Sequence, residues 1–345
     1  MTNSYYTYFS NATKYSIFIA ALTLIGTLLR LPGLDFPITG DLASMFLKHF
    51  QTAWDLLLFN YRSADQKTLS ILLAKLSMSI LGDNEIALRL PALLVGIFAL
   101  PLAYNVGVLT TSSRTGALIG TLILTFSFTH IQYIRYARGY SLTVFFGLAM
   151  VFITYKLLEK KNFNLWGTLF LLTGLGMILT VPTNIHFLVG IGAFYIIIIL
   201  KDLRNPYLRG DLIKSIWPLI SLFGVICGYF LYILEDLKRA IGSEKNYGKL
   251  FGIDPDMSFN LARFTDIFPS LIHPWNTWLY LFLVYGLVCL YRTRGFILFV
   301  SLIISPIILT LLSGLQGPAR VYAYWLPFFL LLIGFGMGKL LVCAK

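Results

Sequence analysis

Apolar runs long enough to cross a bilayer recur from Tyr15 to the far end of the chain, separated by short loops and by two longer polar stretches. A spanning helix needs about 20 predominantly apolar residues. Of 345 residues, 57% are hydrophobic and only 12% charged, more apolar surface than a soluble core of this length can bury, so lipid must serve as solvent. The fold class that follows is an all-α polytopic membrane protein forming one membrane-embedded domain over residues 1–345.

Hydropathy places spans at about 14–31, 90–110, 114–133, 140–158, 163–183, 185–200, 214–234, 277–291, 295–313 and 321–342, about ten transmembrane helices. The first run ends in Leu29-Arg30-Leu31-Pro32 without a small-residue cleavage site. It therefore reads as a retained span and not as a signal peptide. Residues 68–82 are short and carry Lys75 in their middle, which lays them along the membrane surface.

Charge tests this arrangement. With 68–82 non-spanning, one side of the membrane collects Lys14, Arg114, Lys156, Lys160, Lys161, Lys201, Arg204, Arg209, Lys214, Arg292, Arg294, Lys339 and Lys345 against Glu159, Asp202 and Asp211. On the other side, acids and bases nearly balance. The positive-inside rule makes the first side cytoplasmic, with both termini there. The same rule accounts for the net charge of +12 without nucleic acid as a partner. The expected setting is the plasma (inner) membrane of a prokaryote, with the functional face toward the periplasm or exterior.

Two polar loops then face outward, at about 32–89 and 235–276. In the first, Leu42, Phe46, Phe50, Ala53 and Leu57 share one helical face opposite Ser44, Lys48, Gln51 and Asp55, the pattern of an amphipathic juxtamembrane helix. Cys227, Cys289 and Cys343 stand singly, so neither a disulfide framework nor a zinc site is expected.

The ionisable groups that could carry chemistry converge on the outer face: Asp41, Asp65 and Lys67 in the first loop, Arg135 and Arg138 after the third span, His186 near the sixth, and Arg320 before the last. Nucleotide sugars are cytoplasmic, so an outward enzyme needs a donor that has already crossed. A polyprenyl-phosphate sugar meets that need. A carboxylate can take the proton of an acceptor hydroxyl, while Lys or Arg stabilises charge on the departing phosphate.

Each residue also has a plainer reading. Asp41 can be a helix N-cap, and Arg138 an interfacial cation snorkelling to water. Lys67 and Lys75 can be headgroup anchors, and His186 a satisfied turn residue. Arg89 reads as a loop salt-bridge partner or an interfacial anchor, outside the site.

Four segments carry a resemblance. Asp41 follows Arg30-Leu31-Pro32-Gly33-Leu34; Gly82-Asp83-Asn84-Glu85-Ile86-Ala87-Leu88-Arg89-Leu90-Pro91 precedes the second span; Arg138-Gly139-Tyr140-Ser141-Leu142 opens the fourth; and Pro318-Ala319-Arg320-Val321-Tyr322, with Pro327 beyond, leads into the last. Together these resemble the C-type polytopic glycosyltransferases, which include protein O-mannosyltransferases and lipid A aminoarabinose transferases.

The resemblance implies a glycosyltransferase, with inversion at the sugar, that moves sugar from a polyprenyl-phosphate carrier to a hydroxyl of a lipid, glycan or protein. It implies Asp41 as catalytic base or acceptor-orienting group and Lys67, Arg138 and Arg320 as holders of the donor phosphate. Asp65, Tyr140 and His186 are further candidates for substrate contact. No cofactor is required, and a divalent metal is left open: Leu42 stands where the family places a second acidic residue, and a lone Asp is a poor cation site. The alternative is a catalytically degenerate subunit of the same fold that scaffolds a larger membrane complex.

Overall fold

A computed structural model of the chain describes residues 2–59, 61, 66–159, 162–202, 212–239, 242, 265–273, 278–313 and 317–343. Among these the regular elements are helical. In chain order they are α1 (Thr2–Arg30), α2 (Gly40–His49), α3 (Trp54–Phe59), α4 (Thr68–Leu81), α5 (Glu85–Thr111), α6 (Arg114–Thr125), α7 (Phe128–Tyr136), α8 (Tyr140–Leu158), α9 (Phe163–Thr180), α10 (Ile185–Asp202), α11 (Leu212–Tyr232), α12 (Ile267–Ile272), α13 (Leu279–Cys289), α14 (Arg294–Ser313) and α15 (Trp325–Cys343). Short 3-10 turns, Pro182–Asn184 and Ala319–Tyr322, precede α10 and α15.

Each predicted span overlaps a described helix, yet among the described residues six helices are long and apolar enough to cross a membrane, or seven if α6 and α7 form one bent span. The expected number of about ten is therefore not confirmed. The predicted 114–133 span is two helices meeting at 51°. Ser127 starts the second by accepting a hydrogen bond from the His130 backbone N–H at 3.3 Å, an N-cap that competes with continuing α6. Polar caps also open α5 and α6, where Asn84 accepts from Ala87 N at 2.8 Å and Ser113 from Gly116 N at 3.1 Å.

The last helix is the hub. From Trp325 to Phe335 its residues are buried, and alternating glycines let two helices approach its backbone. A Cβ at Gly334 would collide with the backbone of Gly116 and Gly120 in α6, and one at Gly336 with Phe282 and Gly286 in α13. In the reciprocal direction, a Cβ at Gly116 would lie 2.7 Å from Phe335 Cα. Apolar association gains little between helices in lipid, so such small-residue crossings supply close packing instead.

The segment between α1 and α4 departs from the predicted pattern. The helix does not run from Leu42 to Leu57: α2 ends at His49 and α3 begins at Trp54. Leu42, Met45 and His49 are the buried face of α2, not the Leu42–Phe46–Phe50 face. The break is held from another helix. Lys75 donates to the carbonyl of Thr52 and lies over the Trp54 ring at 5.0 Å, so it clamps the turn and is not a headgroup anchor. The second predicted loop, 235–276, falls largely outside the described residues.

Candidate active site

Three residues far apart in sequence meet at one carboxylate. Asp41 Oδ2 pairs with Arg138 Nη1 and lies 3.1 Å from Arg320 Nη1. The pair is unequal: the Arg138 side chain is 6% exposed, whereas Asp41 is 55% and Arg320 51% exposed. A buried guanidinium thus fixes one side of the carboxylate, and a mobile-length side chain at the surface covers the other.

Local conformation aims each group. Asp41 lies in the first turn of α2, and the N-cap position is Thr39, which corrects the N-cap reading of Asp41. Gly40 ahead of it has φ +56° with open space around its missing Cβ. It is therefore the backbone conformation, not crowding, that favours glycine there. Arg138 sits between Ala137 (φ +47°) and Gly139 (φ +85°), two left-handed residues that end α7 and start α8. This sharp reversal turns the side chain out of both helices. Arg320 rides the 3-10 turn before α15.

Packing holds these turns together. Leu42 and Met45 of α2 share a core with Ile71, Ala74, Leu88 and Ala137, which ties the Asp41 helix to the residue beside Arg138. Ser70 of α4 donates to Ala137 O at 2.9 Å. Arg89 is buried and donates to Leu34 O at 2.7 Å and Arg135 O at 2.9 Å. It pins the segment after α1 to the end of α7 and is a buried cation, not an interfacial anchor. On the Arg320 side, Tyr322 is buried, its hydroxyl 3.3 Å from Thr310 Oγ1 and its ring 5.3 Å from Trp325. Trp325 in turn donates to Leu302 O at 2.8 Å.

Other predicted residues lie around this centre without joining its ion pairs. Lys67 is buried at the head of α4, one turn before Ser70, and Asp41's described ion-pair partners are the two arginines. Tyr140 is buried at the start of α8, its ring 5.2 Å from that of Tyr133. His186 stacks on Tyr322 at 6.2 Å and so borders the Arg320 turn, and its buried Nδ1 has no partner among the described residues. Asp65 lies outside the described residues.

Sequence reasoning gave Tyr322 only a place in a motif and missed Tyr133 and the left-handed Ala137. The glycines next to Asp41 and Arg138 were the available signals. It also missed a buried cation beneath the site. Arg30 is fully buried at the end of α1, donating to Gly26 O (2.8 Å), Thr125 O (3.1 Å) and Leu124 O (3.3 Å), with Nη2 2.8 Å from His130 Nδ1. Its fork fills the break between α6 and α7, satisfying carbonyls that the bend frees.

Among the described residues no three His, Cys, Asp or Glu side chains are grouped to hold a metal ion.

Comparison with known proteins bears on this helical architecture in two ways: a family model matches part of the chain, and solved structures share its fold. Residues 68–232 match the family model described as dolichyl-phosphate-mannose-protein mannosyltransferase. That match includes Arg138 but neither Asp41 nor Arg320. An uncharacterized protein from Aquifex aeolicus (strain VF5) is 28% identical over 195 residues, 54% of this chain and 39% of its own length.

Among solved structures, the Archaeoglobus fulgidus oligosaccharyltransferase with Zn and sulfate superposes with a TM-score of 0.57 at 12% identity, covering 95% of this chain and 49% of that one. The archaeal oligosaccharyltransferase AglB in complex with an inhibitory peptide and a dolichol-phosphate gives 0.57 at 11%, covering 96% and 51%. The chain thus spans about half the length of these enzymes.

Proposed function

We propose that this protein transfers a sugar from a polyprenyl-phosphate carrier to a hydroxyl acceptor at the membrane face that carries Asp41, with inversion at the sugar. The observation that carries the reading is the Asp41 carboxylate held between Arg138 and Arg320. The family match over residues 68–232 supports the lipid-phosphate donor.

In this mechanism Arg138 keeps Asp41 aimed, and Arg320, half exposed, moves from the carboxylate to the donor phosphate. The acceptor oxygen attacks the anomeric carbon and gives its proton to Asp41. The bond from that carbon to the phosphate oxygen breaks, and the polyprenyl phosphate leaves with the electron pair, its charge met by Arg320. Lys67 at the head of α4 is the further phosphate-holding candidate, with Asp65, Tyr140 and His186 as candidates for contact with substrate. The transfer uses no cofactor of its own. A prokaryotic plasma membrane, with this face outward, provides the lipid-linked donor.

The test is transfer of radiolabelled sugar from a set of polyprenyl-phosphate sugars by purified protein and by Asp41→Asn, with the fold of the variant checked by melting. Transfer by the wild type that is lost in a folded Asp41→Asn protein establishes the enzyme and its base. No transfer from any donor, beside a stoichiometric co-purifying partner, establishes the scaffolding subunit instead.

A further inference from the structure

We infer that the end of the bundle opposite Asp41 carries a binding site for an anionic phospholipid, seated in a groove between α1 and α5. Two cavities form it. One, of about 620 Å³, runs along Ser16, Ala20, Thr23 and Thr27 of α1 against Pro101 and Tyr104 of α5. The other, of about 430 Å³, continues from it through Ser16, Tyr104 and Asn105 to Arg114 and Lys156. Shared lining residues make the two one continuous trough.

The two ends differ in chemistry. Along α1 the lining is small or apolar, with Ile19 and Leu24 beside Ala20, and the threonine hydroxyls are already used: Thr23 Oγ1 donates to Ile19 O and Thr27 Oγ1 to Thr23 O, both at 2.8 Å. This stretch therefore offers an acyl chain a shallow channel with no unmet polar group. At the far end Arg114 lies over the Tyr15 ring at 5.9 Å, Tyr15 stacks on Tyr104 at 6.3 Å, and the Tyr15 hydroxyl is 3.3 Å from Thr115 Oγ1. Lys156 is bonded to Glu159 at 2.9 Å, and the set of Arg114, Lys156 and Glu159 keeps a net positive charge.

A cationic, hydroxyl-rich head joined to an apolar channel is complementary to a phosphodiester joined to acyl chains, and basic pockets between membrane helices bind such head groups. The site is separate from the candidate active site. Tyr15 and Arg30 are roughly 22 Å apart along α1 at the α-helical rise, and Asp41 lies beyond Arg30. The occupant is thus a lipid of the leaflet opposite the transfer reaction.

The test counts phosphatidylglycerol or phosphatidylcholine bound to the purified chain in a zwitterionic detergent by native mass spectrometry. The expected result is retention of phosphatidylglycerol about ten-fold above phosphatidylcholine, one charge-assisted contact's worth. That preference disappears in Arg114→Gln/Lys156→Gln and persists in Asp41→Asn. Ala20→Trp is the second variant: it fills the groove from an exposed position on α1, keeps both cations, and is expected to lower phosphatidylglycerol retention to the phosphatidylcholine level. If the double variant does not melt like wild type, Ala20→Trp decides. Equal retention of the two lipids by wild type, or undiminished retention by a folded variant of either kind, overturns the site. Because the readout is binding, it stands or falls independently of any transfer activity.

Discussion

Arg320 approaches within 3.1 Å of the same carboxylate oxygen of Asp41 that Arg138 engages, so one oxygen is shared by a buried and an exposed guanidinium. Removing each therefore has a different consequence. Arg320→Gln is expected to leave melting nearly unchanged, because exposed ion pairs contribute about 0–1 kcal/mol. It should lower kcat/KM for the lipid-linked donor by about 10- to 100-fold, the worth of a hydrogen bond to a charged group. Arg138→Gln is expected to lower both the melting temperature and activity. Parallel melting and transfer assays distinguish the two, and equal loss of stability in both variants would contradict the assigned asymmetry.

Asp41→Asn preserves the shape and the Arg138 contact but removes the basic oxygen. Transfer should fall by about 10²–10⁴-fold, the usual contribution of a positioned general base. Donor affinity measured by titration should hold or improve, since Arg138 and Arg320 are no longer neutralised. Weakened donor binding in this variant would mean that Asp41 serves to hold donor and not to accept a proton.

Backbone strain at the two aiming turns is testable without touching a charged group. Gly40→Ala places a side chain at φ +56° in open space, so its cost is conformational alone, about 1 kcal/mol. Gly139→Ala adds a Cβ 3.0 Å from Thr180 Cγ2 at φ +85° and should cost more. Chemical or thermal unfolding in detergent should rank Gly139→Ala below Gly40→Ala, with both below wild type.

Arg30 should prove structural in a specific way. Arg30→Met removes donors from the carbonyls of Leu124 and Thr125 where α6 breaks, at about 2–3 kcal/mol for buried groups left unpaired. Arg30→Lys should recover only part of this, because a single ammonium cannot reproduce the planar fork that reaches three carbonyls and His130. Melting temperatures in the order wild type, Arg30→Lys, Arg30→Met are the expected outcome.

Gly334→Leu is expected to prevent the α6–α15 crossing, since even a Cβ there meets the backbone of Gly116 and Gly120. Expression with loss of a monodisperse species in size-exclusion chromatography is the check. A normally folded Gly334→Leu protein would show that α15 is not the hub.

The helices were legible, though not how many of them cross the membrane, because hydropathy over a window of bilayer thickness is a property of each segment by itself. So, in part, was the site: Asp41, Arg138 and Arg320 stood in motif positions, and the structure brings them to one oxygen. The signals that failed were long-range ones. Lys75 reached back to Thr52 and split a helix that the periodicity of Leu42, Phe46 and Phe50 drew as continuous. Arg30 looked like a boundary residue because its partners, carbonyls about a hundred positions away, leave no spacing in the sequence. The break at Phe126–Ser127 was hidden by uninterrupted apolarity, although Ser127 carried the local capping signal.

The glycine crossings of α15 also set an order of events. Synthesis proceeds from α1 onward, so α6 and α13 enter the membrane before the helix whose backbone they must touch has been made. The Arg320 turn immediately precedes that helix and is fixed through Tyr322 and Trp325. Asp41 and Arg138 are therefore made before their third partner, and the carboxylate group closes only once the Arg320 turn and α15 have been made. A ribosome-bound intermediate halted before α15 would hold most of the helices in the bilayer and lack the Arg320 side of the site.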